Sequence, residues 1–186
     1  MPIQRRITVQ TGTGFNPRDV QTQFNAATGI GDAVFWYNED ESTPHWPYPT
    51  SGPNANQQTA WLDQEIPGKS ESTQLNLDVI GNYTYQCWNH HEEQGTILVA
   101  NQCAIGPTGT GSSAFAPSPL AIGTGQTVSW QNADSNAHQP APDSGPDNAW
   151  FASPIQPGQI SAAVAVTAGG YHCVLHPTEK GTITIS

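Results

Sequence analysis

Short runs in which apolar and polar residues alternate, broken every few positions by glycine or proline, set the pattern of this chain. Leu75, Leu77 and Val79 form one such run, Ile160, Ala162, Val164 and Val166 another, and Ile183 and Ile185 a third. A period of two places these side chains on one face of a strand. No stretch sustains a helical period for three turns. The 18 glycines and 16 prolines are spread along the whole length, which is the punctuation of many turns. The pattern predicts an all-β protein whose folding units are Greek-key β-sandwiches of short strands. Trp36, Trp61, Trp130 and Trp150 are expected in the core or at its edge, where large aromatic rings dominate packing.

The pattern occurs twice. Displacing the chain by 86 residues superposes Tyr85, Cys87, His90, Glu93, Gly95, Thr96 and Ile97 on Tyr171, Cys173, His176, Glu179, Gly181, Thr182 and Ile183. Upstream, Val34-Phe35-Trp36-Tyr37-Asn38 matches Val128-Ser129-Trp130-Gln131-Asn132, and His45 and His138 follow at similar distances. Ala60-Trp61-Leu62 matches Ala149-Trp150-Phe151, and a Thr-Gly-Thr-Gly stretch at 11–14 recurs at 108–111. This is a duplicated unit of about 90 residues, the size of a small independent domain. The segment 106–113 has the composition of a linker, but its counterpart lies inside the first unit, so an internal loop is expected there. The predicted domains are therefore 1–101 and 102–186. The boundary directly follows a strand over Thr96–Val99 and leaves little chain as a tether, so the two halves are expected to pack in a fixed relation.

Five Lys and Arg against fifteen Asp and Glu give a net charge of −10. Such a chain repels nucleic acid and anionic lipid; it suits a basic partner, and serves solubility equally well. No apolar run approaches the length of a membrane span. The opening MPIQRRITVQ lacks the apolar stretch of a secretory signal, as a mature form carrying an added Met would. Three cysteines cannot all pair with one another. Equivalent cysteines of two separate sandwiches are not expected within disulfide reach, and Cys103, which has no counterpart, is expected to be a buried apolar thiol.

Cys87 and Cys173 are each followed three residues later by a histidine, with a further histidine far upstream. A thiolate with two imidazoles is a soft N₂S donor set suited to copper cycling between two oxidation states. The candidate ligands are His45, Cys87 and His90 in the first unit and His138, Cys173 and His176 in the second. His91 and His172 remain over, too few for a trinuclear copper cluster within one chain; a type 2 site shared between subunits stays open. On an extended strand His172 faces away from Cys173.

In this ordered set the chain resembles the cupredoxins over essentially its whole length, once per half, and the second unit resembles the amicyanin and plastocyanin group. Phe15-Asn16-Pro17 and Phe115-Ala116-Pro117 stand where the family has its Phe-x-Pro entry, and Tyr171-His172-Cys173-Val174-Leu175-His176-Pro177 is similar to the amicyanin-type loop. The resemblance implies two tandem cupredoxin-like domains, two coppers per chain in mononuclear type 1-like sites, electron transfer, and a periplasmic or extracellular setting. It further implies an electron route through His90 and His176, with a redox partner protein docking beside Trp46, Pro47, Tyr48 and Trp88 or beside Pro140, Ala141, Pro142, Val174, Leu175 and Pro177.

Two departures qualify it. Short-loop members carry an axial Met three residues after the second His; Glu93 and Glu179 stand there, and the chain's one Met is Met1. Each Glu is either a solvated carboxylate or an oxygen donor replacing the thioether, and a hard anionic donor would lower the reduction potential. Trp46 and Gln139 replace the Asn that often follows the first His, which leaves the tether of the ligand loops open. Two other functions use the same ligands. One is a copper carrier or sensor; the other is a redox enzyme acting on nitric oxide or a peroxide, in the manner of nitrosocyanin.

Overall fold

β-Branched and aromatic residues recur through the chain's regular segments, and every regular element among the described residues is a strand, as those residues favour. The computed structural model describes residues 3–52, 54–107, 109 and 114–186. It divides into two units, Met1–Val99 and Ala100–Ser186. The first contains β1 (Gln4–Gln10), β2 (Gly14–Asn16), β3 (Asp19–Asn25), β4 (Ile30–Gly31), β5 (Ala33–Asn38), β6 (Pro47–Pro49), β7 (Leu75–Asn76), β8 (Gly81–Cys87) and residues 94–99 of β9 (Gln94–Ile105). Its first sheet has the order β2-β1-β5-β7, and β6, β8, β9, β3 and β4 make the second. β1 and β5 run parallel with Ile7 opposite Trp36 and Val9 opposite Asn38, whereas β8 and β9 are antiparallel with Tyr85 opposite Gly95. Between the sheets lie Ile7, Val9, Val34 and Trp36 from one side and Tyr83, Tyr85, Cys87, Ile97 and Val99 from the other, all buried.

The second unit repeats this plan. Residues 101–105 of β9 pair in parallel with β12 (Thr127–Asn132), flanked by β10 (Phe115–Ala116) and β14 (Val164–Ala165). The other sheet has the order β11 (Leu120–Ile122), β16 (Lys180–Ile185), β15 (Gly169–Cys173), β13 (Pro140–Pro142). Cys103 lies opposite Trp130 as Ile7 lies opposite Trp36, so the thiol occupies a core position that the first unit fills with isoleucine. Trp36 and Trp130 are fully buried, and Trp61 and Trp150 stack on them at ring-centroid distances of 5.6 and 5.0 Å.

The all-β sandwich class holds, with local differences. The strand read over Thr96–Val99 continues to Ile105, because no glycine or proline interrupts it. The alternation after Leu75 stops early: Leu77 is buried, but Val79 is 46% exposed where the chain turns into β8. Ala162 is exposed likewise, and β14 begins only at Val164. Of the second Thr-Gly-Thr-Gly stretch, Thr108, Thr110 and Gly111 lie outside the described residues, as do Ser112 and Ser113 of the expected loop.

Candidate metal centres

Each unit brings its ligands together at one end of the sandwich. β8 ends at Cys87 and β15 at Cys173, so each cysteine stands on the last residue of a core strand. The loop that follows closes on itself. Cys87 N–H donates to Glu93 O at 3.0 Å and Glu93 N–H to His90 O at 3.0 Å. In the second unit Cys173 N–H donates to Glu179 O at 3.0 Å and Glu179 N–H to His176 O at 2.9 Å. The upstream histidine is held by the buried asparagine that ends the V-x-W-x-N strand. Asn38 Nδ2 donates to Thr43 O at 2.8 Å and Ile66 O at 2.9 Å; Asn132 Nδ2 does the same to Asn136 O and Ile155 O. His45 and His138 then pair their backbones with Ile66 and Ile155.

The tether left open by Trp46 and Gln139 is made by the main chain. Trp46 N–H and Gln139 N–H each donate to the cysteine sulfur at 3.4 Å. Trp88 N–H donates to Trp46 O at 2.8 Å and Val174 N–H to Gln139 O at 2.9 Å. These bonds fasten the upstream histidine's loop to the cysteine and to the residue after it.

All eight predicted residues converge as two groups of four, with the donor atoms of each group within 4.8 Å of one another. Cys87 Sγ is 3.6 Å from His45 Nδ1 and 3.5 Å from His90 Nδ1; Cys173 Sγ is 3.7 Å from His138 Nδ1 and 3.5 Å from His176 Nδ1. Glu93 Oε2 is 2.8 Å from His45 Nδ1 and 3.8 Å from His90 Nδ1, and Glu179 Oε2 is 3.1 and 3.6 Å from the corresponding atoms. With metal bonds of about 2.0–2.3 Å, the edges of a four-coordinate tetrahedral site measure about 3.3–3.7 Å. Most of these separations lie close to that range without rearrangement; the His45–Glu93 contact is tighter. The donor set N₂SO, its two copies and its spacing fit a single first-row metal ion in each unit.

Burial completes the description. Both cysteines, His45, His138 and Glu179 are fully buried and Glu93 nearly so, so neither carboxylate projects into solvent. His90 and His176 form the rim, with side chains 21% and 25% exposed. Burial pushes the Glu93 carboxyl up, against the opposing pull of His45 and His90. Burial also disfavours the charged His45 ring, yet its bonds to Cys87 and Asp40 and the charge of Glu93 outweigh this and raise it to about 9.

Two residues escape the sequence. Asp40 Oδ2 lies 2.9 Å from His45 Nε2, and Asp134 Oδ2 lies 3.0 Å from His138 Nε2. A carboxylate on the outer nitrogen fixes the ring's tautomer and orientation and strengthens it as a donor. The available signal is Asn-x-Asp, repeated as Asn38-Glu39-Asp40 and Asn132-Ala133-Asp134. It is masked because the spacing to the histidine differs by one between the copies.

The remaining candidates stand apart. His91 is exposed, and His172 pairs with Asp143 at 2.8 Å on the opposite face from Cys173. All three cysteines are free. Cys103 is fully buried 3.3 Å from Tyr171 Oη, and burial pushes its thiol up to about 12.

No family model matches the chain, and no curated protein sequence matches it. Among solved structures, amicyanin from Paracoccus versutus aligns at 18% identity with a TM-score of 0.40, over 52% of this chain and 80% of that one. An oxidised single-site variant of amicyanin aligns at 16% identity with a TM-score of 0.41, over 52% of this chain and 81% of that one. Each alignment thus takes in about half of the chain.

Proposed function

We propose that this chain is a copper-binding electron-transfer protein with one mononuclear, type 1-like site in each unit. The observation that carries the proposal is the pair of matching, largely buried donor sets, each with one cysteine sulfur, two imidazole Nδ1 atoms and one carboxylate oxygen drawn to a point. His45, Cys87, His90 and Glu93 would hold one copper, and His138, Cys173, His176 and Glu179 the other. Bound there, copper supplies a one-electron couple between its cupric and cuprous forms.

The protein's own part is geometric. The closed Cys-to-Glu loop and the Asn-clamped His loop fix the donors before any ion arrives, so a change of charge meets little rearrangement. Burial of the cysteine, the upstream histidine and the glutamate keeps water from the centre. The rim imidazoles of His90 and His176 give electrons a short exit to a partner. Beside them Trp88 is 41% and Leu175 46% exposed, apolar surface suited to brief docking. Glu93 and Glu179 fill the fourth corner of each set, which argues against a site open to nitric oxide or a peroxide. The depth of the ligands argues against the fast exchange a carrier needs.

Copper loading with metal analysis, optical and EPR spectroscopy tests this. Two coppers per chain are expected, and Cys87→Ser and Cys173→Ser should each remove about half of the thiolate charge-transfer absorption. Absorption untouched by either change would show that its unit holds no copper–thiolate site.

A further inference from the structure

The first Thr-Gly-Thr-Gly stretch and Gly109 of the second have no part in the donor sets, yet the structure sets each against the donor set of its own unit. In the first unit the stretch is the turn between β1 and β2. Thr13 N–H donates back to Gln10 O at 3.2 Å, and Gly12 and Gly14 have φ of 82° and 73°, a left-handed backbone that glycine adopts without strain. This shape carries Thr11 to Asp40, whose Oδ2 accepts the Thr11 N–H at 3.0 Å and the Thr11 hydroxyl at 2.6 Å. The same Oδ2 is the atom bonded to His45 Nε2. At its other end the turn passes over Glu93: a Cβ added to Gly14 would lie 3.8 Å from Glu93 Cα and Cβ. In the second unit Gly109, also left-handed at φ 86°, donates its N–H to Glu179 Oε1 at 3.0 Å, on the oxygen that faces away from His138.

We infer that this turn in the first unit, and Gly109 in the second, are positioning elements of the metal centres, acting on the ligands from outside. The turn acts through Thr11 and Asp40 on His45, and Gly109 acts on Glu179. The inference rests on the copper reading above. Asp40 alone could turn about its side-chain bonds; two donors from Thr11 hold it with Oδ2 toward the imidazole. His45 is thereby kept with Nδ1 toward the cluster, and its strength as a donor is set by a carboxylate whose own freedom the turn removes. An N–H on the outer oxygen of Glu179 likewise directs the other oxygen at the cluster, favouring attachment through one atom. Thr11 is exposed, and Asp40, whose side chain is 13% exposed, is not among the residues of the apolar core.

The test uses the full chain with Cys173→Ser as parent, so that copper–thiolate absorption reports the first unit alone. Asp40→Asn should weaken copper binding there by about 10-fold or more, the usual cost of losing an outer partner of a metal-bound histidine. Thr11→Val, which keeps the shape and removes the hydroxyl, should weaken it by less and shift the EPR hyperfine splitting. Thr11→Ser should restore both, while metal-free melting temperatures stay alike across the Thr11 variants. A Thr11→Val protein matching its parent in affinity and EPR overturns the inference, whatever Asp40→Asn does. A parent with no copper–thiolate band overturns the copper reading itself, and this inference with it.

Discussion

Glu179 brings two separable things to its centre: an oxygen atom in the donor cluster and, when ionised, a negative charge without exposure to solvent. Glu179→Gln keeps an oxygen and removes the charge, and Glu179→Met puts a neutral thioether in its place. An anionic oxygen favours the cupric state, so both changes should raise the reduction potential of the second site. Each tenfold change in the redox equilibrium appears as about 59 mV for one electron, which makes even a modest bond measurable by voltammetry. A potential unmoved in both variants would show that the carboxylate lies beside the copper without binding it. The same scale shows what a sequence can reveal. Cys87, His90 and Glu93 were legible because their chemistry is rare and their spacing repeats. Asp40 was not, because a carboxylate in a turn looks like any solvated acid until the fold places it against a ring nitrogen.

The strands explain why some repeated residues are repeated at all. Gly95 and Gly181 belong to the Gly-Thr-Ile stretch of β9 and β16, and each faces a buried tyrosine on the neighbouring strand. A Cβ on Gly95 would fall 2.5 Å from Tyr85 Cζ, and one on Gly181 would fall 2.3 Å from Tyr171 Cζ. Those rings also pack on Trp36 and Trp130, so they cannot simply swing aside. Gly181→Ala is expected to destabilise the second unit by about 1–3 kcal/mol through overpacking, measured by denaturant unfolding. A cost near zero would mean that the tyrosine yields easily. The alternation in the sequence disclosed the strands, and the aromatic residues their core. It could not disclose register, which decides that Tyr85 crosses Gly95 and that Cys103 takes the place of Ile7. Nor could it show that Asn38 and Asn132, matched only as repeated residues, are the clamps of the histidine loops. Hydrogen bonds to main-chain carbonyls leave no pattern in side-chain types.

At the scale of the whole chain, the charge is unevenly shared. Residues 1–99 carry eleven Asp and Glu against four Lys and Arg, and residues 100–186 carry four against one. A basic redox partner should therefore react with the first site faster than with the second at low salt, and the advantage should shrink as ionic strength rises. Stopped-flow oxidation of Cys87→Ser and Cys173→Ser proteins by a basic electron acceptor measures each site alone; equal salt dependence would remove charge as a guide. Duplication was legible from the outset, because seven identities recur at one spacing. What it conserved is visible only in the fold. Residues 87–93 and 173–179 each begin and end on the same backbone hydrogen bond, and each contains three of the four donors. Each is in effect a cartridge, seated in its sandwich by its two ends. Within it Asn89, His91 and Glu92 stand against Leu175, Pro177 and Thr178, so the interior has already drifted while the fastening has not. An ancestor that doubled such a unit acquired two interchangeable inserts, each free to be retuned without reworking the frame around it.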